Sequence, residues 1–365
     1  MNERKNGRRA AVAVALLAGL ASISSLGLAT PAAADEGDWT DHFSFHGRIY
    51  GDVTWLENED KGTGVKSDDS GLGTDIKRVY LEFGWKVDDV WSAKFVSDIG
   101  DFGAKRYDIF VKKAYLEGKF SPMAVMQIGS SDQPWIPFAE GMYGYRYLEQ
   151  TQTDRQGFGT SADWGVHLLG SNDKFAYSVA MVNGGGYSDP SRSGSVDFEG
   201  RISFTPTDHL TFGLGGYSGK LAKDTDADPA LNTATRVDAL IDYNNDHFHI
   251  GGEYFQADDW KQVTSPDSDS SDGFSVWTSI PLSKAELFAR YDQTDPSKDL
   301  NPDLSSDYYH VGVQFKPAQL LTMAIAFKHT TVDSGNGGKA AGVGSSEPNS
   351  KGESNELGVW FQYKW

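Results

Sequence analysis

The chain has 365 residues, 33 basic against 51 acidic side chains, a formal charge of -18 and no cysteine. This acidity excludes nucleic-acid binding, which needs a basic footprint, and the lack of cysteine excludes a disulfide framework and thiolate chemistry. A mean hydropathy of -0.46 does not exclude a membrane barrel, where lumen-facing polar residues alternate with lipid-facing ones and the average hides both.

Arg4, Lys5, Arg8 and Arg9 precede a weakly apolar stretch from Ala10 to Leu28, and Ala32-Ala33-Ala34 then offers small residues before Asp35. This is the layout of a secretory signal peptide over residues 1–34. The competing reading is a transmembrane anchor, which the Ala/Gly content and the cleavage site oppose. Removing four basic residues and one acidic leaves a mature chain, residues 35–365, at -21.

From Phe43 onward one pattern repeats. Phe43, Phe45, Gly47, Ile49, Gly51, Val53 and Trp55 alternate with polar residues, the signal of a half-buried strand. Val79/Leu81/Phe83/Trp85, Trp164/Val166/Leu168, Phe198/Gly200/Ile202/Phe204, Val237/Ala239/Ile241/Tyr243 and Tyr309/Val311/Val313/Phe315 follow it. The pattern predicts about 16 segments near the ~9–11 residues of a tilted membrane strand. Residues 109–111 and 320–327 are blurred, with apolar residues on both faces; misreading one would make the number about 14 or 18.

The connections alternate short and long. Short ones near residues 87–89, 121–123, 171–173, 206–208, 244–246, 281–283 and 317–319 carry turn-forming Pro, Asn, Asp and Ser. Long ones fall near 56–73, 98–107, 131–161, 183–194, 219–235, 256–272, 293–306 and 329–354. The expected fold is all-β: a transmembrane antiparallel up-and-down barrel with short periplasmic turns and long extracellular loops. Trp85, Trp91, Tyr243, Phe248, Phe315 and Trp365 flank short turns or end at their level, as a periplasmic aromatic girdle would. In the last strand Leu357, Val359, Phe361, Tyr363 and Trp365 share a face, opposite Glu356, Gly358, Gln362 and Lys364, with Trp360 the large apolar exception. A terminal aromatic on such a strand resembles the signal read by the outer-membrane assembly machinery.

A barrel of about 16 strands leaves an aqueous channel. The inward parity carries Arg48, Asp52, Arg78, Glu82, Lys94, Asp98, Lys113, Glu117, Glu199, Arg201, Arg236, Asp238, Glu253, Arg290 and Asp292. Ionisable groups at membrane depth are costly unless they face water, so these are the candidate pore lining, with mutual salt-bridging the alternative for most. The third long loop carries Asp132, Glu140, Arg146, Glu149, Asp154 and Arg155. Asp267, Asp269 and Asp272 have the flavour of a calcium loop, but no bidentate Glu follows at fixed spacing. A solvated acidic loop is the expected reading there. No His cluster has metal-ligand spacing, and no metal or cofactor is expected.

Several segments resemble the phosphate-selective porin O and P family. They are Lys77-Arg78-Val79-Tyr80-Leu81-Glu82-Phe83-Gly84, Trp91-Ser92-Ala93-Lys94-Phe95, and Lys113-Ala114-Tyr115-Leu116-Glu117 with Gln127-Ile128-Gly129 and Gln133-Pro134. Gly200-Arg201-Ile202-Ser203-Phe204-Thr205-Pro206 and Glu286-Leu287-Phe288-Ala289-Arg290-Tyr291-Asp292 extend the likeness over most of the mature chain. The resemblance implies a homotrimeric outer-membrane porin of a Gram-negative bacterium, with the third long loop folded into the lumen and its Asp132, Glu140, Arg146, Glu149, Asp154 and Arg155 as candidate constriction residues. Where the family carries lysines before Gln-Pro, this chain has Ser130, Ser131 and Asp132. The expected function is passive diffusion of small hydrophilic solutes and ions, anions such as phosphate being the narrower case. An outer-membrane enzyme or adhesin scaffold, and a soluble secreted β protein, are the competing classes. No Ser–His pair with an orienting group supports the enzyme.

Overall fold

A computed structural model describes residues 39–101 and 107–365. The expected signal peptide lies outside the described residues. Trp39–His42 form one short 3-10 turn. Phe43–Trp365 form a separate compact unit.

Sixteen long strands build that unit: β1 (Phe43–Asp60), β2 (Gly71–Lys86), β3 (Trp91–Asp101), β4 (Tyr107–Ser121), β5 (Ala124–Asp132), β6 (Ala162–Ser171), β7 (Phe175–Val182), β8 (Asp197–Thr207), β9 (Leu210–Gly219), β10 (Ala234–Asn244), β11 (His249–Asp258), β12 (Ser270–Pro281), β13 (Ala285–Asp295), β14 (Leu304–Ala318), β15 (Leu321–Ser334) and β16 (Lys351–Lys364). Each pairs antiparallel with its neighbours in sequence, and β16 pairs with β1 from Arg48↔Lys364 to Asp60↔Gly352. The barrel is therefore closed, with no free sheet edge. The last residue takes part: the Trp365 N–H donates to the Gly47 carbonyl and the Gly47 N–H to the Trp365 carbonyl, both at 3.1 Å. The long connections near residues 56–73 and 329–354 are shorter than expected, because β1, β2, β15 and β16 extend into them. A two-residue strand, Val65–Lys66, continues the β1 ladder, and Gly338–Ala340 pairs with Val343–Ser345 inside the last connection.

Register explains the two faces. Val53, Val359, Ile325, Val313, Leu287 and Ile280 are rung partners in turn across six adjacent strands, β1, β16, β15, β14, β13 and β12. All six point outward, and Val53, Ile280, Leu287 and Ile325 are markedly exposed. Such a continuous apolar exterior is covered by lipid, while the closed ladder pairs the strands' backbone groups on both sides. Three residues along, and so on the opposite face, Trp277, Arg290, His310, Lys328 and Glu356 form an inward rung.

The blurred segment 109–111 is a bulge. Val96 pairs with Lys113 and Ser97 with Val111, leaving Lys112 as an extra residue in β4. The other blurred segment has a packing cause: Ala324 and Ala326 face inward and are buried in the lumen core beside Trp360.

Closure depends on close backbone approach at Gly358, where an added Cβ would lie 2.6 Å from Thr54 Cγ2 and closer still to the Val53 carbonyl oxygen. Gly358→Val is expected to cost about 1–3 kcal/mol by overpacking the seam. The check is loss of the compact, heat-modifiable band on unheated gel electrophoresis.

Candidate functional site

The third long connection, residues 133–161, runs inside the barrel. Its helix α1 (Ile136–Tyr143) begins at a Pro and ends on Gly144, whose φ of 82° is the left-handed conformation glycine allows and whose N–H closes onto Glu140 O at 3.0 Å. One face of α1 buries Ile136, Ala139 and Tyr143. A second short helix, α2 (Gln152–Arg155), follows.

Three tyrosines two residues apart anchor the segment to the wall. The Tyr143 hydroxyl lies 3.5 Å from His310 Nε2, Tyr145 donates to Glu286, and Tyr147 donates to Gln314 Oε1 at 2.9 Å. Glycines on β9 make room for the incoming rings: an added Cβ at Gly213 would lie 2.5 Å from Phe138, and one at Gly215 2.5 Å from Trp135. Tyr143, Tyr145, Tyr147 and Leu148 join wall residues Leu240, Trp277, Phe288, Ala324, Ala326 and Trp360 in one buried cluster. Trp360, anomalous in its strand pattern, lies in that cluster, with Lys328 Nζ 4.4 Å above its ring.

Charged wall residues serve the backbone of the segment. Arg201 donates to Pro134 O at 2.9 Å, Arg290 to Gln150 O at 2.5 Å, Lys328 to Leu148 O at 2.8 Å, and Arg236 to Phe158 O. Glu199 accepts from the Trp135 N–H at 3.1 Å, and Glu253 from the Gln152 N–H at 2.9 Å. The expectation that Arg236, Glu253 and Arg290 line the pore is therefore corrected. They do face inward, but the segment covers them and all three are buried. Arg236 pairs with Glu199 and Asp238 at 2.9 and 2.8 Å, and Arg290 with Asp292 at 2.6 Å. Arg201 stacks 4.2 Å from the Phe138 ring centroid, beneath the same segment.

The opposite wall stays open. Three spaces, each sharing lining residues with the next, lie along β1–β4 and β16, the middle and inner ones against the segment. The outer one, about 510 Å³, includes Asp52, Asp68, Asp69, Asp75, Lys77 and Glu356 in its lining. The middle one, about 450 Å³, shares Asp75, Lys77 and Glu356 with it and adds Arg78, Arg146, Glu149 and Lys328. The inner one, about 340 Å³, shares Tyr50, Arg146 and Tyr147 with the middle and adds Arg48, Glu82, Lys112, Lys113, Asp132, Glu140 and Lys364. Charge inverts along this path: five acids to one base outside, then four bases to three acids, then five bases to three acids.

Arg48, Asp52, Arg78, Glu82 and Lys113 thus border the path, and Lys94 reaches it through Glu82 at 3.1 Å. Glu117 accepts from Gln127 at 2.7 Å in the wall. Asp132 ends β5 and pairs with Lys113 at 2.6 Å. Within the segment, Glu140 and Arg146 pair at 2.5 Å, with Asp154 3.9 Å from Arg146. Glu149 meets Lys328 at 3.4 Å. Burial pushes the Glu149 carboxyl up, but Lys328, Arg155 and Arg290 outweigh it and hold it at about 2. Its ion pair thus stabilises fully above the ordinary carboxylate range and is lost only as pH falls through about 2. Arg155 borders none of the three spaces; it stacks 4.0 Å from the Tyr308 ring centroid and donates to Thr330 at 2.8 Å.

Lys77, Lys112, Lys328 and Lys364 border the path without having been singled out from sequence. Lys77 and Lys112 each sit at a bulge, so two consecutive residues turn inward and strict alternation misassigns one. The doubled bases Lys77-Arg78 and Lys112-Lys113 were the available signal. In the acidic loop Asp269 accepts the N–H groups of Asp299 and Leu300 and Asp272 pairs with Lys298 at 2.5 Å; among the described residues no group of three or more His, Cys, Asp or Glu is placed to hold a metal ion.

The fold is that of porins. The anion-selective porin from Comamonas acidovorans matches with a TM-score of 0.63 at 13% identity, covering 88% of this chain and 99% of that one. OmpT of Vibrio cholerae in its trimer form matches with 0.59 at 16%, covering 88% and 99%. The Salmonella typhi OmpF complex with daunomycin matches with 0.59 at 11%, covering 88% and 97%. No protein-family model and no curated protein matches the chain by sequence.

Arg236→Met would leave Glu199 and Asp238 buried without their cation. The expected loss is about 3–5 kcal/mol, read as a lower urea midpoint, with a larger single-channel conductance as the segment loosens.

Proposed function

We propose that this chain is an outer-membrane porin: a water-filled channel for passive diffusion of small hydrophilic solutes and ions, inserted through its C-terminal strand by the assembly machinery and working as a homotrimer. The observation that carries the reading is the run of three charged spaces, each sharing lining residues with the next, inside a closed sixteen-strand barrel with an apolar exterior. Buried charges without water along this wall would be prohibitively costly. Nothing in the path suggests bond-making chemistry, and we read the chain as a channel, not an enzyme.

The finer reading is a preference for anions, phosphate among them. Its support is the excess of bases over acids in the middle and inner spaces, despite the chain's charge of -18. The resemblance to the phosphate-selective porins and the likeness to a porin described as anion-selective agree with it. Converging positive charge replaces part of an anion's hydration at a narrow point. The acidic outer mouth concentrates cations there, but the narrower interior decides permeation.

The test is the zero-current potential of the refolded protein in a planar bilayer under a KCl gradient, followed by added phosphate. An anion-directed potential with partial phosphate block is expected; a cation-directed one overturns the anion preference, and absence of conductance overturns the channel. Arg146→Gln is expected to reduce anion preference by up to about fivefold, the factor for one unit charge at contact distance in water. Arg155→Gln is expected to change conductance through the segment's anchorage, with a much smaller effect on ion preference.

A further inference from the structure

The bases along the path are not equivalent. In the inner space Arg48 is held by Glu82 at 3.0 Å, Lys113 by Asp132 at 2.6 Å and Arg146 by Glu140 at 2.5 Å. In the middle space Lys77 is shared by Asp52 and Asp75, and Lys328 by Glu149 and Glu356. Each such pair presents a dipole, whose field fades faster than that of a lone charge.

Lys112 differs. Among the described residues no carboxylate ion-pairs with it. Its ammonium lies 4.8 Å from the Tyr80 ring centroid and 5.4 Å from that of Tyr187, and its one hydrogen bond goes to the Tyr80 hydroxyl at 3.4 Å. Asp98 accepts from the Tyr187 hydroxyl at 3.0 Å and lies 3.5 Å from Arg78, both through Oδ2, while its Oδ1 is buried without a hydrogen-bond partner and makes no ion pair with Lys112. The ring faces stabilise the cation without neutralising it. An ammonium has three donors, so two remain for a passing group. The bulge that turns Lys112 inward gives it no rung partner in the β3–β4 ladder. Lys364 also lacks a carboxylate partner among the described residues, but it is exposed beside the chain terminus, where solvent screens it.

We infer that Lys112, seated between the Tyr80 and Tyr187 rings, is the dwelling site for a small inorganic or carboxylate anion and the residue that sets the channel's ion preference. The inference rests on the channel reading. An anion enters the inner space, exchanges part of its water for the free N–H donors of Lys112, and leaves because Arg48, Lys113 and Arg146 are held by their own carboxylates and do not close the shell.

The experiment measures zero-current potential and single-channel conductance against KCl concentration for the full chain, folded barrels being verified by heat-modifiability. In the unaltered protein conductance should level off as chloride fills the site. Lys112→Met should lower the chloride-to-potassium permeability ratio by up to about fivefold and make conductance proportional to salt. Lys112→Arg should restore both. Lys112→Gln serves the same purpose should the Met variant fail to fold. Lys298→Met, an equal charge change in an external connection, should leave both unchanged. An unaltered ratio and saturation in folded, conducting Lys112→Met would overturn the inference while leaving the channel reading intact. An equal shift in Lys298→Met would overturn it too, since net charge would then be the cause. No conductance in the unaltered protein would overturn the channel reading itself.

Discussion

A polypeptide segment folded into a barrel's interior must satisfy its own backbone, and the rest of this structure depends on how that is done. Residues 133–161 have little regular structure to pair their N–H and C=O groups, and leaving such groups buried and unpaired costs several kcal/mol each. The wall supplies the partners. Arg201, Arg236, Arg290 and Lys328 reach loop carbonyls, while Glu199 and Glu253 reach loop N–H groups. Arg236, Glu199, Arg290 and Lys328 are in turn neutralised by a wall neighbour or a loop residue, so the demand for backbone partners brings a network of ion pairs with it. Aromatic packing through Tyr143, Tyr145 and Tyr147 adds the apolar term.

That arrangement divides the barrel's circumference into two roles. One arc, from β8 to β15, is a docking surface in which charge is buried and consumed. The other, β1–β4 with β16, keeps its side chains in contact with the water path. A single inward parity therefore hosts residues with opposite fates. Arg236 and Arg48 are alike in sequence pattern, yet one clamps a loop and the other borders a passage. The division also reconciles an acidic protein with a basic interior: acids crowd the outer connections and the mouth, while bases prevail further in.

Much of this was legible in the residues. Alternation such as Val237/Ala239/Ile241/Tyr243, turn residues at every second connection and the terminal aromatic strand identified the closed antiparallel barrel, because a strand's side-chain period of two carries its burial directly. That residues 131–161, the third long connection, enter the lumen was implied by the family resemblance and not by any period in the residues. Less legible were residues where a bulge breaks the period. Lys112 falls out of the pattern at the point where the sequence looked blurred, and the pairing of Ser97 with Val111 is what turns it inward. Trp360 looked like an exception and is a wall residue of the lumen core.

The sequence by itself determined the class of architecture, the lipid-facing and lumen-facing sets, and the excess of acids in the outer connections, since these follow from local periodicity and composition. Only the tertiary structure decided which lumen-facing charges meet water. That choice depends on where one thirty-residue segment lies against the wall, and on glycines such as Gly213 and Gly215 whose missing Cβ atoms let it approach there. Contacts between residues more than a hundred positions apart, such as Tyr145 with Glu286 or Arg290 with Gln150, leave no periodic trace in the chain.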